Sequence, residues 1–409
     1  MTEVLVVGQG LAGLSAAALA ASNRGCAVTV IALGRGGLSL SHGCIAVWDS
    51  PEPMKAVADL PKAHPYSLSG TVCLRLGTER ILQLLETSGV DYEGSFAGNL
   101  RLPTALGSVC AAAFAPKSLA RGDLENGAPF KVAGLEGFRD FYPEMIASNL
   151  AHLGVPAEEA LLLPMISAPR NRDAYSTDLA ALFDDKSWLE ETSRAWKPRI
   201  GAAKRLALPA VVGLARASQA MELLQTRLGI SVFEIPTLPP SIPGLRLERA
   251  LRMTCQAAGV SFVEGAAAVG LVDGKSGGKR VAGVVARTAG GPREIISDVV
   301  ILATGGILSG GLVARADGRV QESVFDLPVI HTPARSSWTD ASPWCPQPYS
   351  RFGVCVDARM QPVGRDGHPM FENLYAIGGL LADADRTHEG SRQGIDIATA
   401  HRATEVIFA

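Results

Sequence analysis

The chain has 409 residues, a length typical of two or three domains. Its 47% hydrophobic and 19% charged residues exclude a mainly disordered chain, and its formal net charge of −2 excludes a broad basic surface for nucleic acid. No membrane span is predicted, because the long uncharged stretch 4–23 is interrupted by three glycines and by polar side chains.

The cysteines and the first residues indicate a cytosolic chain. The seven cysteines are odd in number, and no two of them form a C-x-x-C pair. This pattern argues against a disulfide framework, a zinc site or an iron–sulfur cluster. Residues 1–3 provide no basic region for a signal peptide. We therefore expect reduced cysteines, no metal site and a cytoplasmic location.

The first predicted elements form a β-α-β unit. Residues 4–7 are a continuous apolar run, which is typical of a strand buried on both faces of a parallel sheet. The alanine-rich segment 11–21 favours a helix, and residues 27–33 are predicted as the second strand.

Gly8, Gly10 and Gly13 have the G-x-G-x-x-G spacing between that strand and that helix. The first glycine makes a tight turn, the second lets a phosphate approach the backbone, and the third lets helix and strand pack closely. The helix N-terminus adds free N–H groups and a partial positive charge. The motif therefore predicts a phosphate-binding turn.

The acid that usually follows the second strand is absent. In dinucleotide sites an Asp or Glu there binds the ribose of the adenosine half. This chain has no Asp or Glu between Glu3 and Asp49, and Arg35 follows the strand instead. Arg35 could meet a 2′-phosphate of NADP or a terminal phosphate, or it could be an ordinary solvated side chain.

The next segment, 36–45, is rich in glycine and serine and contains Ser39, Ser41 and Gly43. Backbone N–H groups and serine hydroxyls there could bond the polar atoms of a flavin ring. An ordinary glycine-serine loop is the alternative.

The middle of the chain is predicted as an insert followed by a return to the first domain. Helices over 78–88 and 141–153 are separated by irregular segments, and residues 238–244 form a proline-rich connector. The elements predicted after the connector are a helix at 245–258, a strand at 260–264, a hairpin of 267–272 and 280–287, and a strand at 294–296.

Two more glycine turns follow apolar strands. The strand that begins at residue 299 ends in Thr304, Gly305 and Gly306, and a second irregular insert covers 314–350. The later strand 374–377 ends in Gly378 and Gly379. A last helix is predicted from Gly394 to residue 407, and its N-terminus could lie over the pyrimidine edge of a flavin.

The order of these elements resembles that of the flavoproteins of the succinate dehydrogenase and fumarate reductase group. Within that group the sequence is most similar to the family of B subunits of anaerobic glycerol-3-phosphate dehydrogenases. The stretches that carry the resemblance are 7–50, 136–153 ("EGFRDFYPEMIASNLAHL"), 238–247 ("LPPSIPGLRL"), 299–313 ("VILATGGILSGGLV"), 346–354 and 371–400.

The resemblance implies an α/β fold with a discontinuous, Rossmann-like flavin domain of the two-dinucleotide-fold type and an inserted α+β cap region. The expected flavin domain comprises 1–50, 242–313 and 351–409, and the expected cap comprises 51–241 and 314–350.

The resemblance also implies a cofactor, partners and an activity. It implies FMN, with FAD as the alternative, and the absent acid after the second strand agrees with FMN because FMN has no adenosine ribose. His42 does not match the histidine that links flavin covalently in succinate dehydrogenases, so we expect non-covalent binding. The implied partners are a FAD-bearing A subunit and an iron–sulfur C subunit that attaches the complex to the inner membrane.

The implied activity is oxidation of sn-glycerol 3-phosphate to dihydroxyacetone phosphate, with electrons passed to quinone. Two alternatives stay open: a non-catalytic electron-relay or structural subunit, and a free-standing flavin dehydrogenase or reductase for another small substrate. No acid–base set stands out, so the catalytic residues are not assigned. Candidate side chains for substrate chemistry or anion binding are His331, His388, Arg392, Arg335 and Arg351.

Overall fold

The computed structural model describes residues 1–166, 173–273 and 279–409. The helices in these ranges are α1 (Leu11–Ala21), α2 (Pro53–Ala58), α3 (Pro65–Ser69), α4 (Thr71–Thr87), α5 (Lys117–Ala120), α6 (Pro143–His152), α7 (Ser176–Phe183), α8 (Lys186–Trp196), α9 (Ala217–Leu228), α10 (Ile242–Ala257) and α11 (Arg392–Phe408). None of them combines the length and the apolar character that a membrane-spanning helix needs.

The strands in the same ranges are β1 (Thr2–Val7), β2 (Cys26–Ala32), β3 (Tyr92–Gly94), β4 (Leu100–Pro103), β5 (Val109–Ala112), β6 (Phe114–Pro116), β7 (Phe130–Leu135), β8 (Ala157–Leu163), β9 (Arg205–Pro209), β10 (Ser231–Ile235), β11 (Ser261–Glu264), β12 (Ala267–Asp273), β13 (Val281–Thr288), β14 (Gly291–Ile296), β15 (Val299–Leu302), β16 (Leu312–Ala314), β17 (Val320–Glu322), β18 (Val329–Ile330), β19 (Gly353–Val354) and β20 (Leu374–Ala376). They belong to two compact units. Unit 1 comprises Met1–Gly37, Ala46–Leu84 and Leu251–Ala409, and unit 2 comprises Leu38–Ile45 and Leu85–Ala250.

Unit 1 contains a five-stranded parallel sheet in the order β11-β2-β1-β15-β20. The central strand β1 is buried from Val4 to Val7, because it has a paired strand on each side and packs against helix α1. Helix α1 packs against the C-terminal helix α11. The predicted β-α-β start and the predicted α/β fold with a Rossmann-like domain are confirmed.

A three-stranded antiparallel sheet of β12, β13 and β14 also belongs to unit 1. It contains the predicted hairpin, and β14 is longer than the strand predicted at 294–296. The turn expected at 273–279 falls mostly on residues 274–278, which lie outside the described residues.

Unit 2 contains a four-stranded parallel sheet in the order β10-β9-β7-β8. Its buried core includes Phe130, Trp196, Leu206 and Phe233. The resemblance implied an α+β cap here, but the elements predicted from the residues themselves were only helices and irregular segments. Strands β7, β9 and β10 mix apolar residues with Lys, Arg, Pro and Glu, and the apolar run of β8 follows two glutamates, so none of the four was identified as a strand.

The two units divide the chain differently from the predicted domain and cap. Residues 46–84 and 314–350 fall in unit 1, although most of them were expected in the cap. One physical reason is Tyr66, whose buried hydroxyl donates to Val47 O at 2.8 Å and lies 3.3 Å from Ser391 O. These bonds tie α3 to the start of α11.

Candidate functional site

The first glycine turn lies at the carboxyl end of β1. Gly8 has a φ of +113°, and a side chain on it would collide with the backbone of Ala303. A side chain on Gly13 would overlap the carbonyl of Gly8. By contrast, no atom lies within 4 Å of a Cβ placed on Gly10. Packing therefore requires Gly8 and Gly13, whereas Gly10 borders open space beside the N-terminus of α1, where a phosphate can approach.

The glycine turns after β15 and β20 lie beside the turn after β1. Ala303 N–H donates to Val7 O at 2.8 Å, which brings the turn after β15 to the end of β1. A Cβ on Gly306 would lie 3.0 Å from Gly379 O, and one on Gly378 would lie 2.7 Å from the Cβ of Ala12. Unit 1 therefore gathers the glycines after β1, β15 and β20 at one edge of its parallel sheet, where ligands bind in open α/β sheets.

A charged pair borders the last of these turns. Arg386 Nη2 donates to Asp396 Oδ1 at 2.7 Å and to Arg392 O at 3.1 Å, and the guanidinium rests against Gly379. Burial raises the pKa of Asp396, and the charges of Arg386 and Arg392 oppose that rise. The group thus places positive charge beside the late glycine turn.

Two buried polar atoms at these turns have no hydrogen-bond partner in the described part of the chain. They are Thr304 Oγ1 and Arg386 Nε. Buried polar groups are nearly always paired, so such atoms are candidates to contact a bound ligand. Together with the open space at Gly10, they fit a phosphate-bearing cofactor with a polar ring.

Residues 38–45 of the serine-rich segment lie in unit 2, where they form hydrogen bonds with other residues of that unit. Ser39 O accepts from Ser241 N–H at 2.8 Å, and Gly43 N–H donates to Ser41 Oγ at 3.2 Å. Gly43 has a φ of +77°, and its carbonyl accepts from the Tyr92 hydroxyl at 2.6 Å. Contact of Ser39, Ser41 and Gly43 with a flavin stays a prediction.

Gly394 has a structural reason to be glycine. A side chain there would overlap the Tyr66 hydroxyl and would lie 3.2 Å from Val47 Cα, and its N–H donates to Ala46 O at 3.0 Å. Its predicted cofactor contact stays a prediction, and close packing is sufficient to explain the residue.

The candidate substrate side chains lie in different surroundings. His331 stands edge-on to Trp338 and Phe352, with ring centroids 6.3 and 5.9 Å away, and Arg335 lies over Trp338. These contacts are typical of packing. Arg392 donates to Thr387 Oγ1 at 2.6 Å, and burial lowers the pKa of its guanidinium.

His388 and Arg351 line a cavity of about 500 Å³ in unit 1. Sequence reasoning missed two other residues of its wall, His64 and Glu389. Their side chains are buried and lie 3.3 Å apart, and Arg351 Nη2 is also 3.3 Å from Glu389. The only signal for Glu389 in the sequence was the group of charged residues in the fragment "THEGSR".

The Glu389 carboxylate is the centre of a buried network. It accepts hydrogen bonds from His64, from the Asp385 N–H at 2.9 Å and from the Ser391 hydroxyl at 2.9 Å. Burial by itself would raise the pKa of Glu389, but these hydrogen bonds outweigh burial and hold the pKa below its ordinary value. A carboxyl group whose pKa is lower in the folded than in the unfolded chain stabilises the fold at pH values above its unfolded-state pKa. This stabilisation is lost as the pH falls through the folded-state pKa.

We expect Glu389→Gln to lower the free energy of unfolding at pH 7 by about 1–3 kcal/mol, because the variant leaves buried donors poorly paired. The difference from the wild type should shrink as the pH falls below about 4.3, where the carboxyl in the unfolded chain protonates. Urea unfolding over a pH series measures this, with Glu52→Gln at an exposed ion pair as the control. A pH-independent difference would contradict the assignment.

Comparisons with known proteins identify relatives of this chain. The family model described as "FAD binding domain" matches residues 3–394. The family match supports the prediction of a bound flavin. It does not support the preference for FMN, because the family description names FAD.

Three relatives match this chain over nearly their whole length. The B subunit of anaerobic glycerol-3-phosphate dehydrogenase from Yersinia enterocolitica is 30% identical over 425 residues, which cover 100% of this chain and 98% of that protein. The protein of the same name from Actinobacillus pleuropneumoniae is 30% identical over 99% of this chain and 98% of its own length. A Halobacterium salinarum protein named as a probable B subunit is 30% identical over 98% of this chain and 96% of its own length.

Proposed function

Because this chain belongs to the FAD-binding-domain family and, within it, to the proteins named as B subunits of anaerobic glycerol-3-phosphate dehydrogenase, we propose that it is the flavin-binding subunit of such a dehydrogenase. The single observation that carries the proposal is the 30% identity over the whole length of both chains. The glycine turns gathered at one sheet edge support it, since they fit a phosphate-bearing cofactor.

The proposed substrate is sn-glycerol 3-phosphate, and the product is dihydroxyacetone phosphate. In this oxidation carbon 2 loses a hydrogen with its two electrons, and the hydroxyl on carbon 2 loses a proton. A bound flavin supplies the electron acceptor. In this chain the turn at Gly10 and the N-terminus of α1 would hold the cofactor phosphate, and Arg386 and Thr304 would make polar contacts to the rest of the cofactor.

We propose FAD as the bound flavin and non-covalent attachment. The description of the matching family supports FAD. The proposed electron acceptor beyond the flavin is a quinone, reached through partner chains of the A and C types, and the C-type partner would hold the complex at the inner membrane. The relatives are named as one lettered subunit of a dehydrogenase, which supports membership of a complex.

A second function is favoured by the arginines that were candidates to clamp the substrate. A dianionic phosphate ester is best held by bidentate arginine contacts. Arg351 already lies against Glu389 and donates to Asp383 O at 3.3 Å, whereas Arg335 stacks on Trp338. The alternative is therefore an electron-relay subunit whose substrate is bound by its partner chain.

Turnover by the purified full-length chain separates the two functions. The chain alone is supplied with sn-glycerol 3-phosphate and an artificial dye, and the complex with its partner subunits serves as the positive control. We expect reduction of the dye by the complex. Turnover by the chain alone would overturn the relay function, and no flavin in either preparation would overturn both.

A further inference from the structure

The structure places a carboxylate close to the position where the glycine motif lacks one. No acid follows β2, whose end reads Ala32-Leu33-Gly34. Strand β11 runs parallel to β2 at the edge of the same sheet, and Glu264 pairs in register with Ala32. Neighbouring strands are about 4.8 Å apart, so the acid stands one strand away from the usual position, at the same carboxyl edge.

Gln9, which stands between Gly8 and Gly10, connects this carboxylate to the glycine turn. Its side chain is buried. The amide nitrogen Nε2 lies 2.9 Å from Gly34 O and 3.2 Å from Glu264 Oε1. Glu264 is therefore one side chain away from the turn that borders the phosphate site.

Arg252 of α10 fixes the orientation of both groups. Its Nη1 donates to Gln9 Oε1 and, at 3.0 Å, to Glu264 Oε1. The Arg252 guanidinium is held in turn over the ring of Phe262, with its central carbon 4.4 Å from the ring centroid. These contacts use one oxygen of Glu264, and in the described ranges Oε2 has no hydrogen bond.

The Glu264 carboxylate is accessible and ionised. Its side chain is 49% exposed, so a ligand can reach it. The hydrogen bond from Gln9 lowers its pKa, and the charges of Arg252 and Arg35 add to this effect. An ionised carboxylate accepts hydrogen bonds from the two neighbouring hydroxyls of a ribose and repels a 2′-phosphate.

We propose that Glu264, held by Gln9 and Arg252, binds the ribose hydroxyls of the adenosine half of FAD. This assignment rests on the proposed flavin binding and deepens it. In this assignment Glu264 takes the ribose-binding role of the acid that is absent after β2, although it lies 255 positions along the chain from Gln9. It also gives a physical reason for FAD rather than FMN, because FMN has no second ribose for this carboxylate to bind.

The test compares two flavins on one variant. The full-length chain is freed of flavin by dialysis against a chaotropic salt, and FAD and FMN are then titrated separately and followed by flavin fluorescence. Glu264→Gln keeps the size of the side chain and removes its charge. We expect the Kd for FAD to rise by about 10- to 100-fold, because charge-assisted hydrogen bonds are lost, with the Kd for FMN unchanged.

The FMN titration also reports whether the variant is folded. Glu294→Gln removes an exposed acid of β14 and serves as the matched control, with both Kd values expected to stay at the wild-type level. Equal weakening of FAD and FMN binding by Glu264→Gln, or no weakening of either, would overturn the role of Glu264.

The wild-type titrations separate this inference from the function on which it rests. Binding of FMN without FAD would overturn the ribose assignment and leave flavin binding intact. Binding of neither flavin would overturn the proposed function itself. Tighter binding of NADP than of FAD would assign the site to Arg35 and a 2′-phosphate, and would overturn the role of Glu264.

Discussion

Replacing Arg246 with alanine is expected to lower the free energy of unfolding by about 3–5 kcal/mol, because it leaves a buried carboxylate without its counter-charge. Arg246 and Glu234 are both buried in unit 2 and form a two-point ion pair with N–O distances of 2.7 and 3.0 Å. The same guanidinium donates to the carbonyls of Gly213 and Val212 at 2.8 and 3.0 Å. Urea unfolding measures the loss, and hydrogen exchange of the β9 and β10 amides reports unit 2 separately.

The matched control for this prediction is Arg101→Ala. Arg101 and Glu125 also form an ion pair in unit 2, with side chains 57% and 67% exposed. We expect a loss of less than about 1 kcal/mol there, because water solvates both charges. The double variant Arg246→Met with Glu234→Leu should recover most of the stability lost by Arg246→Ala. A loss at Arg246 as small as the one at Arg101 would show that the buried pair does not stabilise unit 2.

Replacing Gly10 with valine is expected to reduce the flavin retained by the purified chain at least about tenfold, with little loss of stability. The φ of Gly10 is −74°, and no atom lies within 4 Å of a Cβ placed on it, so a side chain there starts in open space. That room is the space that a cofactor phosphate would occupy beside the N-terminus of α1. Flavin released by denaturation and the thermal midpoint of the flavin-free chain are the two measurements.

The control for Gly10→Val is Gly290→Val in the turn between β13 and β14. Gly290 also has space around its Cβ, with Thr288 Oγ1 the nearest atom at 3.9 Å. Its variant should keep the wild-type amount of flavin. Retention of flavin by Gly10→Val at the level of this control would place the phosphate elsewhere.

The local elements of unit 1 could be predicted because their signals are contained in short stretches of sequence. The run Val4–Val7 and the glycines after it identified β1 and the turn into α1, since a strand buried on both faces must be apolar throughout. The hairpin of β12 and β13 was predicted from its alternation and its turn residues, and the structure has both strands. The flavin-binding family was recognised from motifs of the same kind.

The parallel sheet of unit 2 could not be read from the sequence in this way. Its strand β10 contains Glu234, which is buried only because Arg246 of α10 neutralises it. A strand with a charged residue in its interior does not look like a core strand until its partner is known. Parallel strands also pair across long connections, so no hairpin turn indicates the pairing.

The sequence by itself determined the α/β class and the family, because apolar strands and glycine turns are local signals and their order along the chain is also read from the sequence. The tertiary structure alone decided which polar groups meet. It paired Glu264 with Gln9 and Glu389 with His64, and it placed Tyr66 against Gly394. These contacts join residues hundreds of positions apart. Whether two such residues meet depends on the order of the strands in the sheet, and no short stretch of sequence determines that order.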